Sequence, residues 1–372
     1  MPPISVLMKP SSGMCNMKCD YCFYCDETQK RIQESYGFMS EQTVKNVIRK
    51  TMLRAEGAVR YAFQGGEPTL RGLEFFEKVV AFEKQYNKNG IRVNNALQTN
   101  GYLIDEAWCR FFKENHFLVG LSVDGTKEIH DTYRHSKNGE PTFDRVCHAA
   151  ELMDIYGVEY NILTVVNQKV ASEIAKIYEF YKKQGWHYQQ YIACLDPLDE
   201  AHGENEYALE PEQYGRFLIE LFELWYADWK NGAQPYIRQF ENYVGILLGY
   251  QPEACDQRGI CGIQNVVEAD GSVYPCDFYM LDEYRLGNFN ANQMEEINAK
   301  RKEIGFIERS LQLKESCRSC QYFTICRGGC QRNRDFDQAS GMYENYFCKS
   351  YEMFFEACLP KMQEMAEALK RR

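Results

Sequence analysis

No stretch of the 372 residues approaches the ~20 apolar side chains that a membrane-spanning helix needs. The first residues, MPPISVLMKPSSGMCNMKCDYC, show no basic region followed by an apolar one, so no secretory signal is expected. Basic charge is in short supply as well. The 43 Lys and Arg are outnumbered by 53 Asp and Glu, and the net charge of −10 argues against a nucleic-acid-binding surface, though not against a small basic stripe. Histidine is scarce, and its six copies show no metal-ligand spacing. There is no internal repeat and no low-complexity linker. Aromatic residues are not lacking: 26 Tyr and 22 Phe supply apolar surface enough to exclude disorder. The abundant residue that needs explaining is cysteine, with 16 copies.

Such a count fits either a disulfide-bonded secreted protein or an intracellular metal protein. Without an export signal the expected setting is the reducing cytoplasm, where thiols stay free for metal. Metal is therefore favoured before any motif is considered.

Residues 1–235 alternate short β-like runs with helical patterns. Strands are expected at 4–7, 59–63, 93–97, 117–123, 160–166 and 188–194, and helices at 41–56, 73–87, 105–114, 143–156, 172–184 and 211–230. Six βα units in series imply an α/β domain with a parallel sheet, and two units fewer than a closed eight-stranded barrel imply an open partial (β/α)6 barrel. Function in such a sheet gathers at the C-terminal strand ends. The loops there carry GlyGlyGluPro, GlnThrAsnGly, SerValAspGly and CysLeuAspPro. Residues 236–372 lose the alternation and hold nine of the cysteines. Within them 266–274 reads as a β-hairpin around Asp270-Gly271, and 351–370 as an amphipathic helix.

Cys15, Cys19 and Cys22 form C-x3-C-x2-C in the loop after the first strand. Thiolates this close can face one small object, and soft sulfur selects iron–sulfur clusters or zinc. A [4Fe–4S] cubane normally takes four cysteines, so three leave one iron open. Cys25 lies where it could complete a zinc site or a closed electron-transfer cluster instead. The segment CysAsnMetLysCysAspTyrCysPhe, placed after strand one of a βα series, resembles the signature of the radical S-adenosylmethionine superfamily. That resemblance implies an open iron that chelates the amino and carboxylate groups of S-adenosylmethionine. Gln64-Gly65-Gly66-Glu67-Pro68 alone is an ordinary turn, but it resembles the family's GGEP segment. There, exposed backbone and a carboxylate receive the cofactor's amino group, which suits the close approach glycine allows. The resemblance further assigns Ser122 to the ribose or carboxylate and Arg134 to the methionine carboxylate, where a bidentate pair would form unless the arginine is simply solvated. Tyr21 and Leu195 match positions bordering the adenosine, and Gln98 is a weaker candidate.

The C-terminal part contains Cys261-x9-Gly271-x4-Cys276, then Cys317-x2-Cys320-x5-Cys326-x3-Cys330, then Cys348. This resembles the seven-cysteine SPASM extension of radical enzymes that modify peptides and proteins, with Cys255 as an eighth thiol. By that resemblance Cys255, Cys261, Cys276 and Cys330 hold one auxiliary cluster, and Cys317, Cys320, Cys326 and Cys348 the other. Spacing alone would group Cys330 with its neighbours, and four thiolates also suit structural zinc. Five cysteines remain. Cys109, Cys147 and Cys358 are expected to be core thiols, Cys194 is placed to line the pocket, and Cys25 is ambiguous.

Over the whole chain the resemblance is to the anaerobic sulfatase-maturating enzymes. It implies three [4Fe–4S] clusters and S-adenosylmethionine, with oxidation of a sulfatase Cys or Ser to Cα-formylglycine through a 5′-deoxyadenosyl radical. The implied substrate is an unfolded or nascent sulfatase bearing Cys/Ser-x-Pro/Ala-x-Arg. The implied electron donor is a ferredoxin or flavodoxin, and the enzyme is expected to be a cytoplasmic monomer with no nucleic-acid or membrane partner. Asp277, directly after Cys276, is the expected proton acceptor, against the plainer reading of a hairpin-end Asp bonded to local backbone. Tyr24 and Gln64 are the expected substrate contacts. The segment 236–241 is expected near the peptide channel. The main alternative is a SPASM maturase that builds a thioether or other crosslink in a small peptide. Such enzymes often carry an N-terminal recognition domain, for which a first cluster cysteine at residue 15 leaves no room. A non-catalytic electron-transfer or zinc scaffold would not require GlyGlyGluPro.

Overall fold

The structure, a computed structural model, describes residues 3–371. All six expected strands are present: β1 (Ile4–Met8), β2 (Ala58–Phe63), β3 (Arg92–Thr99), β4 (Phe117–Ser122), β5 (Tyr160–Val166) and β6 (Tyr188–Ala193). Backbone contacts gather the chain into two bodies. One takes the stretch up to Val123, Asp131–Asn161 and Ile263–Gly305; the other takes Asp124–His130, Ile162–Gly262 and the stretch from Phe306 onward. Composition divides the chain at 235/236, so sequence character and backbone contacts partition it differently.

In the first body β1 to β4 run parallel, with Ile4 opposite Val59, Ala58 opposite Arg92 and Asn95 opposite Phe117. Its helices include α1 (Phe23–Gln29), α2 (Glu41–Met52), α3 (Leu73–Tyr86), α4 (Glu106–Glu114) and α5 (Phe143–Tyr156). Ser40 starts α2 by accepting from the Thr43 amide, and Asp105 starts α4 by accepting from the Trp108 amide, each at 3.0 Å. Along α2 the buried residues Val44, Val47, Ile48 and Thr51 recur at helical spacing and form the inward stripe. Strands and helices meet in an aromatic layer: Phe63 to Phe76 at 5.2 Å, Phe76 to Trp108 at 5.4 Å and Phe111 to Phe117 at 5.2 Å between ring centres.

The hairpin around Gly271 also belongs to this body. Its strands are β7 (Asn265–Val267) and β8 (Ser272–Tyr274), followed by β9 (Gly287–Asn288). β7 lies parallel to β1, with Val6 opposite Asn265 and Met8 opposite Val267, and β8 and β9 continue antiparallel. The strand order here is β9-β8-β7-β1-β2-β3-β4.

In the second body β5 and β6 pair in parallel, Ile162 opposite Gln189, and the two-residue strand Tyr236–Ile237 joins β6. Its helices are α6 (Ile174–Lys183), α7 (Pro211–Lys230), α8 (Arg238–Leu247) and α9 (Cys348–Lys370). Phe222 on α7 lies 5.2 Å from Phe240 on α8 and 5.9 Å from Phe354 on α9, which knits the three together. Among the described residues no helix is long and apolar enough to cross a membrane.

Candidate active site

The cysteine loop leaves β1 and is shaped by distant chain. Met17–Cys19 pairs antiparallel with Arg134–Ser136, placing Cys19 opposite Arg134. The Met17 amide donates to Cys15 Sγ at 3.4 Å, and Asn100 Nδ2 donates to Cys15 Sγ at 3.6 Å and to Asn16 Oδ1 at 2.8 Å. Burial, then the nearby Glu67 carboxylate, pushes the Cys15 thiol up to about 11. Cys22 is lowered by a hydrogen bond from Cys25, and both Cys15 and Cys22 sit in the field of Arg134. Cys25 in turn lies in the field of Cys22, Cys15 and Cys19. Three soft thiolates on one short loop suit a cubane with an open iron, and Cys25 follows them in the first turn of α1.

Gly65 and Gly66 lie against this loop. A Cβ on Gly66 would stand 2.1 Å from the Met14 carbonyl oxygen, and one on Gly65 would stand 2.1 Å from Lys9 Cδ. Their φ values, +85° and +51°, are also those glycine adopts readily. The Glu67 amide donates to Met14 O at 2.8 Å and closes the two loops together. The Glu67 carboxylate takes a different occupation from the one its motif implies. It is 1% exposed and accepts from Thr69 N at 3.0 Å, Thr69 Oγ1 at 2.6 Å, Thr99 Oγ1 at 2.8 Å and Asn100 N at 2.8 Å. Burial raises its pKa while those donors hold it down. Its side chain braces the loop by tying it to Thr99 and Asn100.

Arg134 is buried rather than solvated and donates through Nη1 to Tyr21 Oη at 2.9 Å, so these two expected cofactor contacts come together. Ser122 is buried at the end of β4. Leu195 is half-buried just past β6, and the buried Cys194 thiol points at the Leu195 carbonyl. Gln98 lies on β3.

Asp277 is 14% exposed at its side chain, ion-paired through Oδ1 to Lys9 Nζ and accepting at Oδ2 from Gln64 Nε2. Lys9 is fully buried, and its Nζ stands 4.3 Å above the Tyr24 ring. Tyr24 is 3% exposed and donates its hydroxyl to Glu268 Oε2 at 2.7 Å, and burial raises its pKa well above the ordinary value. Arg31 Nη1 reaches the same oxygen at 2.6 Å. Lys9, Arg31, Glu268 and Asn100 touch the expected site residues and were not singled out from the sequence. Lys9 carried a signal, a charged residue directly after β1 at a strand end; Glu268, inside an ordinary hairpin pattern, carried none.

In the second body Cys326 feels Cys317, Cys348 and Cys320, and burial pushes it up to about 12. Cys330 is likewise pushed up to about 12 by burial and lies in the field of Cys255 and Cys261. Cys276, the remaining thiol of that set, lies in the first body just past β8. Among the described residues no three His, Cys, Asp or Glu close tightly enough to hold one metal ion. Thiolates of a cubane sit on separate irons and stand farther apart than ligands of a single ion. Cys109 and Cys358 are fully buried and Cys147 half-buried on helices, while Cys25 is exposed.

The profile of the Radical SAM superfamily matches residues 10–181, and that of a SPASM iron–sulfur cluster-binding domain matches residues 260–321. The chain is 45% identical to the cysteine-type anaerobic sulfatase-maturating enzyme of Clostridium perfringens, over 100% of both chains. It is 31% identical to the serine-type anaerobic sulfatase-maturating enzyme of Bacteroides thetaiotaomicron, covering 99% of this chain and 92% of that one. The solved structure of native anSMEcpe with bound AdoMet and Cp18Cys peptide superposes with a TM-score of 0.94 at 44% identity, covering 99% of this chain and 100% of that one.

Proposed function

The chain belongs to the anaerobic sulfatase-maturating enzymes, and from that membership we propose that it oxidises the active-site cysteine of a sulfatase polypeptide to Cα-formylglycine. The observation that carries this reading is the full-length identity to cysteine-type maturases, joined to a site in which Asp277 stands among Lys9, Gln64 and Tyr24. Three [4Fe–4S] clusters and S-adenosylmethionine supply, when bound, a 5′-deoxyadenosyl radical that removes a Cβ hydrogen and a sink for the electron that follows. Cys15, Cys19 and Cys22 would hold the open cluster. Cys255, Cys261, Cys276 and Cys330, and Cys317, Cys320, Cys326 and Cys348, would hold the auxiliary ones.

The chain's own part is to bind, orient and take the proton. The backbone of Gly65, Gly66 and Glu67, with Tyr21, Ser122, Arg134 and Leu195, would seat S-adenosylmethionine. Asp277 would accept the substrate thiol proton on a carboxylate oxygen, turned toward it by Gln64 and balanced by Lys9. Gln64 would also touch the substrate. Tyr24, whose hydroxyl is committed to Glu268, would contribute its ring rather than a donor. The electron would come from a ferredoxin or flavodoxin in an anaerobic cytoplasm, to a monomeric enzyme. A crosslink-forming maturase is not favoured, because the full-length relatives are sulfatase maturases.

The test is anaerobic reconstitution followed by reductant, S-adenosylmethionine and peptides containing Cys-x-Pro-x-Arg or Ser-x-Pro-x-Arg. Mass spectrometry is expected to find formylglycine in the cysteine peptide, and Asp277→Asn to abolish it. Cleavage of S-adenosylmethionine with no oxidation of either peptide would overturn the reading.

A further inference from the structure

Behind the proton acceptor lies a buried chain of groups, two of which, Glu268 and Arg31, have no part in the reading above. Glu268 and Arg31 have side chains 0% exposed, joined at 2.6 Å. Glu268 Oε2 also accepts from Tyr24, and its Oε1 accepts from the Ala269 amide at 2.7 Å, which fixes the carboxylate in the hairpin turn. The Tyr24 ring lies between two cations, with Arg31 Cζ at 5.1 Å and Lys9 Nζ at 4.3 Å from its centre. Lys9 then reaches Asp277. The line Arg31–Glu268–Tyr24–Lys9–Asp277 joins the hairpin turn to α1 and to the end of β1.

Packing does not require this arrangement. The surroundings are apolar: Tyr24 packs with Val266, Tyr274 and Met280, and Leu7 and Phe23 close over them. An ion pair buried among such groups often gives no more stability than an apolar pair of the same volume, so folding energy alone does not account for it. Two cations and two carboxylates balance along the line. With the Glu268 charge gone, Arg31 and Lys9 would flank the ring with Asp277 as the remaining carboxylate, and a neutral amide oxygen would replace the charged acceptor shared by Arg31 and the ring hydroxyl.

We propose that Glu268 and Arg31 are positioning residues for the oxidation: they hold the Tyr24 ring against Lys9 and thereby keep Lys9 and Asp277 in register with the substrate. The inference rests on Asp277 as proton acceptor in the reading above. Its signature is uncoupling, because hydrogen removal would proceed while the proton-accepting geometry is lost.

The experiment compares Glu268→Gln, Arg31→Met, Arg31→Lys and Tyr24→Phe with the wild type. It reads iron per chain, unfolding midpoint, peptide dissociation constant, and formylglycine formed per 5′-deoxyadenosine. Glu268→Gln and Arg31→Met are expected to keep iron and peptide affinity within about threefold while the product ratio falls by about tenfold or more. Arg31→Lys, which keeps the charge, is expected to recover most of the ratio. Tyr24→Phe leaves the ion pair intact and is expected to lower the ratio in the same direction, so it decides the matter if a charge variant fails to fold. An unchanged ratio in Glu268→Gln or Tyr24→Phe, or a loss merely in proportion to lost iron and midpoint, would overturn the proposal. Failure of the functional reading looks different, since then the wild type itself makes no formylglycine.

Discussion

Gly66 is a residue at which a single added methyl group would be felt by the cysteine loop. Its φ of +51° disfavours a side chain, and the Met14 carbonyl fills the space where Cβ would go. Gly66→Ala must therefore push the cysteine loop away from the Glu67 amide that clasps it. The expected result is under half the wild-type iron at the first cluster and S-adenosylmethionine binding weakened by about tenfold or more, checked by iron analysis and equilibrium dialysis. Residue by residue, the cysteines were legible because spacing restricts what thiolates can bind. Gln64 and Asp277 were singled out through neighbouring motifs, and the fold bonds them to each other. Lys9 and Glu268 were not singled out, since a lysine after a strand or a glutamate in a hairpin is usually solvated, and only the fold shows them buried.

Helix α3 against strand β3 carries a different buried charge. Glu83 accepts from Asn95 Nδ2 at 2.9 Å, yet its Oε1 is buried without a partner among the described residues. Burial raises its pKa from 4.5 to about 7, with the Asn95 bond opposing. A carboxyl whose folded value lies above its unfolded one contributes most to stability below pH 4.5 and loses that contribution as pH rises toward 7. Glu83→Gln removes the penalty. It is expected to flatten the pH dependence and to stabilise the protein by about 3 kcal/mol at pH 8 and little at pH 4, measured by denaturant unfolding. At this scale, long periodic helices were legible nearly to their ends, as with 211–230. Short pairings were not: Met17–Cys19 with Arg134–Ser136, or β7 beside β1, depend on partners far along the chain and leave no local signal. The Asp-Gly turn announced the hairpin but not the sheet it joins.

Across the whole molecule, spacing alone does not say which thiols share a cluster. Cys317, Cys320, Cys326 and Cys330 in one short run invite a single site, yet Cys330 also lies in the field of Cys255 and Cys261, far back along the chain. Long-range ties also hold the second body. His202 bonds Asp196 through Nδ1 and Asp335 through Nε2, both at 2.9 Å, and stacks 3.8 Å from the Tyr346 ring. Asp196 first, then Asp335, raises the histidine's pKa above 6.5. The stabilisation is therefore full below pH 6.5 and is lost as pH rises through the folded value. His202→Gln should lower stability by about 1 kcal/mol at pH 6 and by nothing measurable at pH 9. Limited proteolysis of residues 196–208 at the two pH values checks it, with faster cleavage of the variant expected only at the lower.

The pairing of β1 with β7 has a consequence in time. The two strands are about 260 residues apart, and chains are synthesised at about 5–20 residues per second, so β1 waits roughly 13–50 s for the partner that covers its edge. Through that interval the cysteine loop it carries is already made and Asp277 does not yet exist. The cysteine loop is therefore made long before the residues that close over it, and its thiols stand open to the surroundings through that interval.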